Sequence, residues 1–103
     1  MFLKTDGCNG VQFEDRDNFR AFKLVVEARR DAIDEVRRAL SQVADLEDEN
    51  TAWVAMAALR DRPEVAHDTT WQRGFAAMIE KARPHGWIDD QRQAIKAHVE
   101  WLA

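Results

Sequence analysis

The apolar positions between residues 16 and 46 recur at intervals of three, four and seven. This row consists of Phe19, Phe22, Val26, Ile33, Val36, Leu40 and Val43. Such intervals place apolar side chains on one face of an α-helix. The pattern therefore predicts one long amphipathic helix over 16–46, with an apolar face too wide to remain in water.

The remaining apolar positions predict three shorter helices, over 51–60, 70–83 and 90–102. The middle one is the clearest, because Thr69 and Gln72 have the spacing of a capping box and Pro84 cannot continue a helix. The apolar stripes of the last two helices predict a central core that contains Phe75, Ile79, Ile95 and Val99.

The first fifteen residues differ from the rest of the chain. The turn pairs Asp6-Gly7 and Asn9-Gly10 lie between two short apolar arms, which predicts either a β-hairpin or an irregular arm. The predicted fold is therefore all-α: a bundle of four helices in a single domain, 1–103, preceded by an N-terminal arm, 1–15.

Composition is that of an ordinary globular chain, with 103 residues, 46% hydrophobic and 33% charged. No apolar run approaches the roughly 18 to 20 residues that a membrane span needs. The first residues lack the basic and apolar regions of a secretory signal. Since Cys8 is the single cysteine, the sequence predicts a cytoplasmic protein without a disulfide or a membrane segment.

The charge pattern disfavours binding to nucleic acid or to anionic membranes. The net charge is −4, and 15 basic and 19 acidic residues are interleaved along the chain, so no concentrated basic surface is predicted. A DNA-binding helix-turn-helix at 82–86 is a disfavoured alternative. It would have Pro84 inside its turn and would open its second helix with Asp89 and Asp90, where DNA phosphates should approach.

No catalytic or metal-binding motif is present in the sequence. His67, His85 and His98 lack the spacing of four residues that places two ligands on one helix face. Ser41 is the only serine and has no nucleophile motif around it. We therefore predict no metal, no cofactor and no catalytic residue.

The leading functional hypothesis is a non-enzymatic interaction or accessory protein, acting as a homodimer or as a small subunit of a larger complex. The predicted long helix would span about 45 Å, more than shorter helices of about 15 to 20 Å can cover. Arg29 interrupts its apolar seam, and a polar residue at such a position selects register and partner. The predicted interface residues are Arg29, Ile33, Val36 and Leu40.

The alternative hypothesis is a small-molecule-binding module with a pocket between the helices. His98 falls beside the buried stripe of the last predicted helix, and the four tryptophans can either fill the core or line a pocket. The predicted pocket residues are His98, Trp71, Trp87 and Trp101.

Overall fold

Seven strands form one curled mixed sheet in the computed structural model, which describes residues 1–8 and 10–102. The strands are β1 (Phe2–Thr5), β2 (Val11–Glu14), β3 (Lys23–Val26), β4 (Ala44–Leu46), β5 (Thr51–Ala55), β6 (Ile88–Asp89) and β7 (Ala94–Trp101). The α-helices of this part of the chain are α1 (Ile33–Ala39), α2 (Met56–Arg60) and α3 (Thr69–Ala82), with 3₁₀ turns at Arg30–Ala32 and Arg83–His85. The all-α prediction is wrong: the chain is 32% helical and 30% strand.

The strand order across the sheet is β2-β1-β3-β7-β5-β4. β1 pairs antiparallel with β2 and parallel with β3, and β3 pairs parallel with β7. On the other edge of β7, β5 is antiparallel and is followed by β4. The first residues therefore form the hairpin alternative, although Asn9 of the predicted turn lies outside the described residues.

The predicted long helix over 16–46 is replaced by β3, α1 and β4. One physical reason is that three consecutive residues are all buried, namely Leu24, Val25 and Val26. A strand that is covered on both faces has a continuous apolar run rather than an alternating one. The backbone at Arg29 is extended, with φ −78° and ψ 149°. Helical structure therefore begins only at Arg30, and no continuous helix joins Val26 to Ile33.

Two further predicted helices are also wrong. The segment 51–60 divides into β5 and α2, and the segment 90–102 contains β7. In β7 the buried side chains Ile95, Ala97 and Val99 alternate with the exposed Lys96 and His98. This period of two is that of a strand with one face on the core.

The helix predicted over 70–83 is present as α3, with one correction at its start. The carboxylate of Asp68, rather than the hydroxyl of Thr69, caps the helix by accepting the N–H of Trp71 at 3.0 Å. The predicted core is confirmed, since Phe75 and Ile79 of α3 are buried together with residues of β7. Within the described ranges, no helix combines the length and the apolarity needed to cross a membrane.

A glycine on α3 sets the position of the segment that leads into β3. A Cβ atom added at Gly74 would lie 2.5 Å from Cε2 of Phe19. The phenyl ring therefore packs directly against the helix backbone, which no other residue at position 74 would allow without a shift. Phe19 also contacts Trp71, with ring centroids 5.8 Å apart. This contact holds residues 19–22 beside α3.

Candidate functional site

A gap interrupts one edge of β7. β5 pairs with β7 along one edge, so β6 and β3 share the opposite edge, end to end. β6 pairs with β7 as far as Ile95, and β3 begins to pair at His98. None of the described strands pairs with Lys96 or Ala97 on this edge, although the Lys96 N–H donates to the carbonyl of Trp87 at 2.8 Å.

A cleft of about 770 Å³ lies at this gap. Its apolar lining comes from α3, β7 and the segment before β3, and includes Phe19, Phe22, Met78, Ala82, Ile95 and Ala97. Met78 and Ile95 belong to the buried core, so the cleft reaches from the surface to the edge of the core. This size and this mixture of lining residues are typical of a small-molecule site.

Three cationic residues from three separate elements line the cleft: Arg20 before β3, Lys81 near the end of α3, and Lys96 in β7. In the part of the chain that the structure describes, none of them forms an ion pair with a carboxylate. No Asp or Glu side chain among the described residues lines the cleft. A locally positive cleft thus occurs in a chain whose net charge is −4.

The carboxylates of Glu80 and Asp90, both near Lys81 in sequence, are bound elsewhere. Arg83 forms ion pairs with Glu80, at 3.1 Å, and with Asp90. Hydrogen bonds to Glu80 and then to Asp90 raise the pKa of Arg83 above its usual range. These carboxylates therefore neutralise Arg83 rather than the cations of the cleft.

Two aromatic rings stand together in the lining of the cleft. The imidazole of His85 stacks on the indole of Trp87, with centroids 4.4 Å apart and an interplanar angle of 20°. Gly86, between them, has a φ of +77°, a left-handed conformation that glycine adopts without a Cβ clash. The indole remains 47% exposed, so its stacking capacity is only partly used within the chain.

Two of the four pocket residues predicted from sequence line this cleft, namely Trp87 and His98. Trp71 is buried in the core, where its indole N–H donates to the carbonyl of Arg16 at 2.8 Å. The indole N–H of Trp101 donates to the carbonyl of Glu49 at 2.6 Å, outside the cleft lining. The structure therefore brings together one tryptophan and one histidine of the predicted set.

Sequence reasoning missed the cations Arg20, Lys81 and Lys96 as site residues. Each is an isolated basic residue in a chain with interleaved charges, so no local pattern marks it. Arg20 does lie between Phe19 and Phe22 in sequence, but this arrangement is also found in ordinary amphipathic segments.

The four residues predicted for an interface occupy different environments. Val36 and Leu40 are buried in the core of the chain itself, and Ile33 packs partly buried against it. Arg29 is exposed, with its Nε 3.6 Å from a carboxylate oxygen of Asp31. They do not share a continuous helical seam, because the long helix is absent. Self-association of the protein stays a prediction.

Among residues 1–8 and 10–102, no group of three or more His, Cys, Asp or Glu side chains is placed to hold a metal ion. The thiol of Cys8 is exposed and free. The chemistry that the cleft does offer is cationic and imidazole nitrogen atoms around an apolar floor. This arrangement suits the binding of an organic anion.

Comparisons of the chain with protein families, with characterised proteins and with solved structures find no match. The geometry and charge of the cleft are therefore the features that indicate a function.

Proposed function

We propose that this protein is a non-enzymatic binding module that holds a small organic anion with an apolar body in the cleft beside β7. The observation that carries the proposal is that Arg20, Lys81 and Lys96 line one cleft in which no described residue supplies a carboxylate. The proposal retains the hypothesis of a small-molecule site that was drawn from the sequence. The site is a cleft at a gap along the edge of β7 rather than a pocket between helices.

The charge distribution supports an anionic ligand. Cations in a concave site with apolar walls raise the local concentration of anions, and hydrogen bonds to ionised groups are stronger than neutral ones. No carboxylate of the described residues pairs with the cations of the cleft, so a ligand does not have to displace one of these carboxylates.

The apolar lining supports an organic rather than an inorganic anion. Phe22, Met78 and Ala97 lie in the same cleft as the cations. Apolar contact with such side chains contributes affinity in proportion to the area removed from water. A ligand that combines a carboxylate or phosphate with an apolar body uses both parts of the lining, whereas a bare ion uses only one.

Titration calorimetry with benzoate, phenyl phosphate and octanoate tests the proposal, with neutral benzamide as the comparison ligand. We expect the anions to bind more tightly than benzamide. The double variant Lys81→Gln with Lys96→Gln should weaken anion binding by about tenfold, which corresponds to about 1.4 kcal/mol.

The matched control is the double variant Arg38→Gln with Arg73→Gln. It removes the same two charges from exposed positions outside the cleft lining. We expect it to bind the anions within about twofold of the unmodified protein. Equal losses in both double variants, or benzamide binding as tightly as benzoate, would contradict the proposal.

The proposal includes a cytoplasmic location, which the single exposed Cys8 supports, since cysteine remains reduced in that compartment. Fractionation of cells that express the full chain tests it. Recovery of the protein mainly from the extracellular or periplasmic fraction would contradict this part of the proposal.

A further inference from the structure

Trp87 differs from the other three tryptophans in how its indole is used. The indole N–H groups of Trp53, Trp71 and Trp101 donate to Glu47, Arg16 and Glu49, respectively. Among the described groups, none accepts a hydrogen bond from the indole N–H of Trp87. The ring is also the most exposed of the four, at 47%.

The two faces of the Trp87 indole are in different environments. His85 stacks against one face at 4.4 Å, in a nearly parallel arrangement. A ring stacked on one face leaves the opposite face available, and the large exposed fraction of the indole agrees with this. Both rings line the cleft, so a molecule bound there lies beside the indole.

The faces of other tryptophans are covered from within the chain. The guanidinium of Arg92 lies 5.3 Å from the ring centroid of Trp53, and Phe75 stacks on Trp71 at 5.0 Å. No cation among the described residues lies over Trp87. Within the described residues, the cations of the cleft thus have no carboxylate partner. Among the same residues, the Trp87 indole beside them has no hydrogen-bond acceptor for its N–H and no cation over its ring.

From this pairing of open groups we infer that the ligand carries a planar aromatic ring that stacks on Trp87, while its carboxylate or phosphate is held by the cationic residues that line the cleft. The inference rests on the proposed function and specifies the class of ligand. Stacking between aromatic rings favours offset parallel arrangements and adds affinity beyond that of the buried area. The shared chemistry includes both aromatic acids and nucleotides.

Pairs of ligands that differ only in aromaticity test the inference. Calorimetry compares 2-naphthoate with its saturated decahydro counterpart, and phenyl phosphate with cyclohexyl phosphate. We expect the aromatic member of each pair to bind about three- to tenfold more tightly. AMP compared with ribose 5-phosphate then distinguishes the sources, because a nucleotide site prefers AMP and a site for smaller aromatic acids does not.

The variant Trp87→Leu should remove the aromatic preference and leave the affinity for decahydronaphthoate within about twofold. Trp87→Phe should restore part of the preference, since the ring is retained. The matched control is Trp53→Leu, whose ring face is covered by Arg92, and it should keep the preference. Thermal melting verifies that each variant is folded.

The outcomes separate this inference from the proposed function. Equal binding of aromatic and saturated anions to the unmodified protein overturns the aromatic class but leaves an anion-binding cleft. An aromatic preference that persists in Trp87→Leu also overturns the inference. Failure of all of these anions to bind overturns the proposed function together with the inference.

Discussion

Two depressions on the surface combine a tryptophan with cationic side chains, and they differ in how these groups are satisfied. In the smaller one, of about 180 Å³, Arg92 lies over the ring of Trp53. Arg92 also bonds to Asp89 at 2.7 Å and to Asp45 at 3.2 Å. In the larger one, the cleft, no described cation lies over the ring of Trp87 and no described carboxylate pairs with the cations.

The difference shows that the same types of side chain can complete a surface or leave it open. In the smaller depression, at Trp53, the hydrogen bond from Arg92 lowers the pKa of Asp89, and Asp89 raises the pKa of Arg92. Those groups are therefore already coupled to one another within the chain. In the cleft, the equivalent interactions remain for a ligand to supply.

The largest expected effect is a loss of stability on removing a large side chain from the core, which would affect both depressions together. Phe75→Ala deletes a buried ring that stacks on Trp71 and should lower the free energy of unfolding by about 3 to 5 kcal/mol. Urea denaturation measures this loss. Ala76→Ser, at the next and exposed position, is the control with an expected change below about 0.5 kcal/mol. A loss below about 1 kcal/mol for Phe75→Ala would show that the ring is not part of a close-packed core.

A smaller change should alter the cleft and leave the depression at Trp53 as it is. Gly74→Ala places a Cβ atom 2.5 Å from the Phe19 ring, which must then move from the cleft wall. The clash should outweigh the gain in helix propensity and lower the free energy of unfolding by about 1 kcal/mol. Calorimetry should show anion affinity reduced by about threefold.

The control for this change is Ala77→Gly, at an exposed position of α3. It should lower the free energy of unfolding by about 1 kcal/mol through helix propensity alone, with no change in anion affinity. The prediction fails if Gly74→Ala binds anions as the unmodified protein does, or if it increases stability.

The pH dependence of stability separates the two depressions in another way. Arg92 holds the pKa of the Asp89 carboxyl below its usual value, so the ionised carboxylate stabilises the folded state. This contribution is present above the ordinary carboxyl pKa, at about pH 4, and is lost as the pH falls through the lowered value. Thermal melting of Arg92→Met should therefore show a shallower loss of stability in acid than the unmodified protein.

Lys96→Met is the control for the acid measurement, because Lys96 has no ion pair in the described part of the chain. Its melting temperature should fall with acid as steeply as that of the unmodified protein. Identical acid profiles for Arg92→Met and the unmodified protein would show that the pairing of Arg92 with Asp89 does not contribute in solution.

The smallest effect concerns ionic strength. Raising the salt concentration from about 0.05 to 0.5 M should weaken anion binding in the cleft by about two- to fivefold, because partly exposed cations are screened. Neutral benzamide is the control ligand and should show no such trend in calorimetry. Anion affinity that is independent of salt would indicate that the cations are not the source of binding.

The part of the fold that was predictable is the part whose apolar spacing fits only one period. In α3, Trp71, Phe75 and Met78 follow intervals of four and three, which a strand cannot place on one face. In β7, Ile95 and Val99 are four residues apart and fit a helix or a strand equally well. Pairing with β3 and β5 decides between them, and that pairing is not a local property of the sequence.

The candidate site was predictable only in part, for a related reason. Trp87 was predicted as one of four tryptophans, and His98 because it fell beside the apolar stripe of a predicted helix that is the strand β7 in the structure. The cationic residues that line the cleft are far apart in sequence: Arg20, Lys81 and Lys96. Only the tertiary structure brings them to one cleft. The absence of a carboxylate among them is likewise a property of the tertiary structure.

β7 has a consequence for the order of events during synthesis and folding. It follows every other described strand in the chain and joins β3 to β5, so the two halves of the sheet have no common neighbour until it is made. The contact between Lys23 and Glu100 spans 77 residues, and such distant contacts form slowly. Because Lys96 and His98 of the cleft lie on this strand, the proposed ligand would bind only the completed sheet and would draw the chain toward that state by mass action.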